Sequence, residues 1–162
     1  MGDHLFTALQ WHLPHGVTAC DSTSSTSIPP SGPPVQALDL CCGHGVLMAC
    51  ASHAADMHIH GVSRTENLPR NAQALLTKIG SDACTFSLET LDLLARPEVH
   101  IWSDNFSLAI LCAPDTSTTT MDPSLYLHGI ALQAVWVGGQ VYTFVPLELV
   151  DDIRAYMELL GA

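Results

Sequence analysis

Short apolar stretches alternate with helix-forming stretches along the chain after residue 34. Five of the apolar stretches have the length and composition of buried strands, and they cover residues 35–41 (VQALDLC), 57–63 (MHIHGVS), 84–91 (CTFSLETL), 106–113 (FSLAILCA) and 140–146 (QVYTFVP). Strands that alternate with helices are typical of a parallel α/β sheet. The pattern therefore predicts one such sheet.

Helices are predicted between these strands, over residues 46–55, 65–79 and 123–135, and from residue 147 to the chain end. In the second helix, Leu75, Leu76 and Ile79 are spaced to face the sheet. The segment between the third and fourth strands contains Pro97 and predicts only a weak crossover.

The first 34 residues have a different pattern. Leu5, Leu9 and Leu13 are spaced for one face of a short helix over residues 4–13. Residues 21–34 are almost entirely Ser, Thr, Pro and Gly, which is typical of a linker or a mobile flap. We therefore expect an N-terminal helix and linker over residues 1–34, and a cofactor-binding domain over residues 35–162.

Charge restricts the kinds of partner. The 162 residues include five Lys and Arg against sixteen Asp and Glu, for a formal net charge of −11. Because nucleic-acid binding depends on cations that neutralise phosphates, we expect no direct binding of RNA or DNA by the isolated chain.

The six cysteines fall mostly inside apolar runs of a chain long enough to form a core without disulfides. We interpret them as free, largely buried thiols, which favours a reducing compartment. The N-terminus lacks the features of a signal peptide, and no apolar run has the length of a membrane span. We expect a soluble cytoplasmic protein that does not bind membranes.

The stretch "DLCCGHG", residues 39–45, follows the first predicted strand and precedes a helix. Gly43 and Gly45 permit close approach of a ligand to the backbone, and Asp39 and Cys41 lie at the strand end. This arrangement is typical of a nucleotide-cofactor site. A tight strand-to-helix turn without a ligand is the alternative interpretation.

With this loop and the strands that follow, residues 35–150 resemble the class I S-adenosylmethionine-dependent methyltransferases. The resemblance implies that the methionine end of the cofactor lies against the acid and the glycine loop, which here comprise Asp39, Cys41, Gly43, His44 and Gly45. It also implies an acid on the ribose at the end of the second strand. That position holds Ser63, with Arg64 and Glu66 after it.

Further positions extend the resemblance. After the third strand, Asp92 is implied to take the adenine amino group between Leu91 and Leu93, although an acid there is also an ordinary helix N-cap. At the end of the fourth strand, the resemblance places Cys112 near the methyl group. The stretch "AVWVGGQVYTF" is similar to the Leu-x-x-Gly-Gly turn of these enzymes.

The fold implied by the resemblance is a three-layer α/β sandwich, a Rossmann-like core with a mainly parallel sheet in the order 3-2-1-4-5 and the cofactor across the carboxyl ends of strands one and two. The two strands that normally follow the fifth are missing. Either a protein partner or a second copy covers the sheet edge that they leave, or the fold tolerates a short sheet.

A narrower similarity, to the RNA 2′-O-methyltransferases, covers the segments from "ARPEV" to "VDDIRAYM". Those enzymes deprotonate a ribose hydroxyl with a Lys-Asp-Lys-Glu tetrad. Here Lys78 is the single lysine, and Thr143 and Phe144 occupy the strand that would carry another. The similarity therefore implies that this chemistry is lost or replaced.

Three functions remain open from the sequence. The first is methyl transfer to an unidentified acceptor, with Asp115 and His44 as the candidate catalytic bases. The second is a catalytically silent, methyltransferase-like binding or regulatory subunit. The third is an NADP-binding oxidoreductase, with Arg64 on the 2′-phosphate.

Two observations speak against the oxidoreductase. Met48 stands where the third small residue of a dinucleotide motif is expected, and no Tyr-x-x-x-Lys pair exists because Ala74 precedes Lys78 by four residues. Histidines suggest a different site, since His58 and His60 share one face of a strand. Their spacing matches no closed zinc pattern, and we predict no metal site.

Overall fold

The computed structural model describes residues 6–12, 35–54, 56–64, 67–93, 102, 105–112 and 122–161. Within these ranges six strands form one sheet. They are β1 (Phe6–His12), β2 (Val35–Leu40), β3 (Met57–Ser63), β4 (Thr85–Thr90), β5 (Phe106–Cys112) and β6 (Val135–Pro146).

Four α-helices are described, namely α1 (Val46–Ser52), α2 (Asn67–Ile79), α3 (Asp122–Ala134) and α4 (Val150–Leu159), and a 3₁₀ turn over Leu147–Leu149 precedes α4. No helix in these ranges is long and apolar enough to cross a membrane.

The strand order is β1-β6-β5-β2-β3-β4. Strands β2 to β6 pair in parallel, and their order across the sheet is the predicted 3-2-1-4-5. The predicted fold class is therefore confirmed. The central strand β2 is buried from Ala37 to Leu40, as expected for a parallel strand covered on both faces.

Each face of the sheet has its own core. On one face Leu38, Leu40 and Val62 pack with Leu127 and Ala131 of α3. On the other face α1 and α2 pack on β2 and β3, through a set that includes Ala37, Ile59, Met48 and Leu76.

On the second face, a glycine in β3 allows α1 to pack closely, and the last turn of α2 is turned towards solvent. Gly61 of β3 permits contact with α1, since a Cβ there would lie 2.6 Å from Sδ of Met48. In α2, Leu76 is buried as predicted, but Ile79 is 52% exposed in the last turn. The prediction that Ile79 faces the sheet is therefore wrong.

The prediction of an N-terminal helix over residues 4–13 is also wrong, because residues 6–12 form strand β1. It pairs antiparallel with β6 along its whole length, from Phe6 opposite Pro146 to His12 opposite Gln140. A ten-residue helix is marginal on its own, whereas a strand gains hydrogen bonds along the open edge of β6.

This pairing also corrects the expectation of an uncovered sheet edge, because β6 lies between β5 and β1. The chain's own N-terminal strand occupies this edge, for which the sequence left open a partner, a second copy or a short sheet. The Ser- and Pro-rich segment of residues 21–34 lies outside the described residues. The nearest described residues on either side of it, His12 and Val35, both lie towards the amino-terminal edge of the parallel strands.

Strand β6 begins five residues before the predicted start at residue 140. The two glycines expected in a turn lie inside the strand, where the pairing is irregular: Phe106 is opposite Val135, but Leu108 is opposite Gln140. Gly138 has a φ of 87°, so the extra residues are accommodated as a bulge.

Candidate functional site

The predicted cofactor residues that the structure describes lie at or just beyond the carboxyl ends of β2, β3, β4 and β5. Strand β2 has β3 on one side and β5 on the other, so chain connections depart from it in both directions. Such a switch point in the strand order is where open α/β sheets bind their ligands.

The glycine loop after β2 has an unusual backbone. Cys41, Gly43 and Gly45 all have positive φ, at 75°, 52° and 80°. The N–H of Cys42 donates to the carbonyl of Val62 at 2.8 Å, and the N–H of Gly45 donates to the carbonyl of Cys42 at 2.8 Å. The first of these hydrogen bonds holds the loop against the end of β3, and the second closes a turn within the loop.

The two loop glycines are required for different reasons. A Cβ on Gly45 would lie 2.9 Å from Cβ of Ala72 in α2, so Gly45 serves the packing of the loop on that helix. Among the described residues, a Cβ on Gly43 would meet only the carbonyl oxygen of Cys41, at 3.8 Å. Gly43, with the exposed His44 beside it, therefore borders open space that a ligand can fill.

Asp39 is fully buried below this loop. Neither of its carboxylate oxygens has a hydrogen-bond partner among the described residues. Burial raises the pKa of Asp39 to about 7 because a charge is poorly solvated there. Near neutral pH this carboxyl group is divided between its protonated and ionised forms.

Three thiols surround the carboxyl group. Burial, and then the negative charge of Asp39, raise the pKa of Cys41 and of Cys42 to about 12, and the same causes raise the pKa of Cys112. These thiols stay protonated at neutral pH and are poor nucleophiles. We call Asp39 to Gly45 together with Ala72 and Cys112 the inner corner.

The prediction of free cysteines is confirmed for the five that the structure describes, of which Cys50 is exposed. Cys20 lies outside the described residues.

The ends of β3 and β4 form a second part, which we call the outer edge and which comprises Ser63, Arg64, Leu91 and Asp92. Nε of Arg64 donates to Oδ2 of Asp92 at 3.1 Å, and the Arg64 side chain is 71% exposed. Ser63 is only 2% exposed, and its carbonyl accepts from the N–H of Leu91 at 2.8 Å. The ion pair thus connects the predicted ribose and adenine positions.

The remaining predicted residues divide between core and site. Leu93 is buried in the α3-side core, and Leu91 packs at its border. Cys112 is half-buried at the end of β5, next to β2. Glu66 and Asp115 lie outside the described residues.

A row of polar side chains across β3 and β4 was not predicted from the sequence. On β3 and β4, His58 lies 2.8 Å from Thr85 Oγ1 and 3.0 Å from Ser87 Oγ, while His60 lies 2.7 Å from Ser87 Oγ and 3.3 Å from Glu89 Oε2. Period two of both strands carries these five residues, but only strand pairing brings them together. Across the described ranges, no three His, Cys, Asp or Glu side chains are arranged to hold a metal ion.

The position where the RNA 2′-O-methyltransferase similarity expects a lysine also holds a polar pair. Thr143 is buried in β6, and its Oγ1 lies 3.0 Å from Nε2 of the buried His128 in α3. The side chain at this position points into the protein rather than into the site.

A scan against protein-family models and a sequence search of curated proteins found no match. Solved structures do match. A precorrin-8w decarboxylase from Methanobacterium thermoautotrophicum aligns with a TM-score of 0.59 and 15% identity, over 80% of this chain and 64% of that one.

Two further structures are similar. An S-adenosylmethionine-dependent methyltransferase from Methanosarcina mazei has a TM-score of 0.51 and 16% identity, over 68% of this chain and 51% of its own. A protein from Pyrococcus horikoshii has a TM-score of 0.51 and 17% identity, over 67% and 48%. The chain thus spans about half to two thirds of these relatives. At such low identity the likeness establishes the fold alone, a Rossmann-like sandwich around a mainly parallel sheet.

Proposed function

We propose that this chain binds S-adenosylmethionine and transfers its methyl group to an acceptor that is still to be identified. The observation that carries the proposal is the inner corner: a glycine loop with open space at Gly43, above a buried carboxyl group, at the switch point of the sheet. The fold of the Methanosarcina mazei methyltransferase supports the same conclusion.

The residues of the inner corner suit this cofactor. S-adenosylmethionine carries positive charge on its sulfonium and ammonium groups, and Asp39 has no positive partner among the described residues. The thiols of Cys41 and Cys112 add no charge at neutral pH. A positively charged ligand above the loop therefore meets one buried carboxyl group and, among the described residues of the inner corner, no competing cation.

When bound, the cofactor supplies an electrophilic methyl group. The protein's task is to align an acceptor with it, and alignment alone supplies much of such a rate. His44 is the exposed candidate for removing a proton from the acceptor, and Asp115 stays a candidate from the sequence.

The structure disfavours an NADP site in two respects. Arg64, the residue assigned to the 2′-phosphate, is held by Asp92, whose carboxylate would repel that phosphate. Met48, at the position of the third small residue, is fully buried against Gly61. Nothing in this corner offers a phosphate an unoccupied cation among the described residues.

A silent binding subunit is the second candidate, and the burial of Ser63 favours it. In the resemblance, the second-strand end holds the ribose with a carboxylate, whereas here a serine hydroxyl is closed off from solvent. Weak binding, or binding without turnover, follows from that replacement.

Isothermal titration with S-adenosylmethionine and S-adenosylhomocysteine tests the proposal. We expect both to bind, and we expect Gly43→Leu to remove binding because its side chain fills the open space. Gly161→Leu is the matched control: Gly161 also has positive φ, at 83°, with no described residue within 4 Å of a Cβ, and it lies beyond the end of α4.

The outcomes separate the candidates. Binding that is lost only in Gly43→Leu, with methyl transfer to some acceptor, supports the enzyme. Binding without transfer to any acceptor class favours the silent subunit, and no binding by the wild-type chain removes the cofactor from the proposal.

We also propose that the methyl acceptor is not free nucleic acid. Five cations in 162 residues, with Arg64 held by Asp92, leave little to neutralise phosphates. The similarity to RNA 2′-O-methyltransferases stays a prediction. A gel shift by micromolar protein that weakens with added salt would contradict this part of the proposal.

A further inference from the structure

Asp39 is a titratable group for which the described residues provide no counter-charge. It is fully buried, and its two oxygens receive no hydrogen bond from the described residues. Leaving an ionised carboxylate unpaired in a protein interior is costly, so such a group either finds a cation or keeps a proton.

The elements around Asp39 supply no such cation. Its neighbours in the sheet are Gly61 of β3 and Ile110 of β5. The titratable groups that sense its charge are the thiols of Cys41 and Cys42 in the loop and of Cys112 at the end of β5, all of which stay protonated at neutral pH. Within the described residues a proton is therefore the available partner of this carboxyl group.

A cationic ligand at Gly43 would change that balance. Gly43 is four residues after Asp39, in the loop that covers it, and it borders open space. An opposite charge near a carboxyl group favours its ionised form, and the effect is stronger where water is excluded.

We propose that S-adenosylmethionine binding expels the proton of Asp39 to solvent, so that the positive charge of the ligand replaces the proton as partner of the buried carboxylate. This inference rests on the proposed function, since it concerns the same site. Charge balances in the exchange: a neutral carboxyl group and a cation become an ion pair and a solvated proton.

The exchange makes Asp39 a determinant of specificity as well. S-adenosylhomocysteine has lost the sulfonium charge but fills the same space. It should therefore expel less of the proton and gain less from ionised Asp39. The preference for the substrate over the product should grow as the pH rises towards neutrality.

Calorimetry measures the released proton directly. The wild-type chain is titrated with S-adenosylmethionine at pH 6.5 in two buffers of different ionisation enthalpy, phosphate and imidazole. We expect the difference in observed heat to correspond to between about half and one proton released per ligand bound. Below neutral pH the affinity should strengthen as the pH rises, by at most roughly tenfold per pH unit.

The Asp39→Asn variant is the control, because the amide cannot release a proton at these pH values. We expect its heat of binding to lose most of the buffer dependence. If this variant does not fold, the wild-type chain still decides the matter through infrared difference spectra, in which the C=O band of a protonated carboxyl group should disappear when ligand binds.

The possible results are distinct. Buffer-dependent heat together with loss of the carboxyl band supports the inference. Binding of S-adenosylmethionine with buffer-independent heat and an unchanged band overturns the inference and leaves the proposed function standing. No binding of the ligand at any pH overturns the proposed function, and the inference with it.

Discussion

Asp39 and Asp92 are two carboxyl groups at the ends of strands of one sheet, and their surroundings are opposite. Asp39 is fully buried, and its carboxyl oxygens have no hydrogen-bond partner among the described residues. Asp92 is 32% exposed and accepts a hydrogen bond from Arg64. Both were predicted as cofactor residues from the same kind of position. The difference shows that the same kind of position at a strand end does not fix the burial or the hydrogen-bond partners of an acid.

The contrast extends to the residues around them. In the inner corner, closely packed backbone, thiols and Ala72 exclude water, and burial is the main cause of the pKa changes. At the outer edge, water screens an ion pair whose arginine is largely exposed. Changes in the inner corner should therefore have large effects, and changes at the outer edge small ones.

The largest effect should come from the ionisation of Asp39. Its pKa is raised in the folded state, so between its ordinary value and about 7 the folded chain binds more protons than the unfolded chain. The contribution of Asp39 to the free energy of unfolding is thus greatest at low pH and falls as the pH rises through this range. The whole loss is on the order of 4 kcal/mol, most of it between pH 5 and 8.

Urea unfolding of the wild type and of Asp39→Asn at pH 5 and 8 measures this loss. The free energy of unfolding should fall less in the variant, by about 3 kcal/mol over that interval. The other carboxyl groups are the same in both chains and cancel. Parallel pH dependences in the two chains would show that Asp39 is ionised in the folded chain at little cost, and its contrast with Asp92 would be lost.

The thiols give a second test of the inner corner. With pKa values near 12, Cys41 and Cys42 should present roughly a thousandfold less thiolate than an ordinary cysteine at pH 8. Iodoacetamide followed by peptide mass spectrometry should label the exposed Cys50 much faster than either. Unfolding in urea should remove the difference. Comparable rates in the native chain would mean that the corner opens to solvent.

Glycine replacements separate packing from backbone strain. Gly45→Ala should cost about 2–4 kcal/mol, because the left-handed backbone is strained and the new Cβ contacts Ala72 at 2.9 Å. Gly43→Ala has the same backbone strain and open space, and should cost about 1 kcal/mol.

Gly161→Ala is again the control for strain alone, since no described residue lies within 4 Å of its Cβ. Thermal or urea unfolding of the three variants provides the comparison. Equal costs at Gly45 and Gly43 would mean that α2 yields to the added methyl group, and the corner would then be less tightly packed than the distances indicate.

Much of the fold could be predicted from the sequence because strands buried on both faces are continuous apolar runs. Strand β5, a nearly continuous apolar run, was predicted over residues 106–113 and is observed over Phe106–Cys112 for this reason. Strand β1 was not, since seven residues of mixed pattern become a strand only where β6 offers an edge. A helical spacing of three leucines could not reveal that edge.

Some features of the candidate site could likewise be predicted from the sequence, and others could not. The glycine loop was predictable because positive φ selects glycine locally. The missing partners of Asp39, the contact of Gly45 with Ala72 and the ion pair between Arg64 and Asp92 join residues far apart in the chain or depend on complete burial. Neither spacing nor composition carries that information.

The smallest effect should be that of the outer-edge ion pair. A double-mutant cycle with Arg64→Ala and Asp92→Asn isolates their interaction, because any other contact of Asp92 cancels in the cycle. Since the Arg64 side chain is 71% exposed, we expect a coupling of about 0.2–1 kcal/mol in urea unfolding. The coupling should shrink between low and high salt because exposed charges are screened. A coupling above roughly 2 kcal/mol, or one that is independent of salt, would place this pair in the same water-excluded regime as Asp39, and the distinction between the two carboxyl groups would fail.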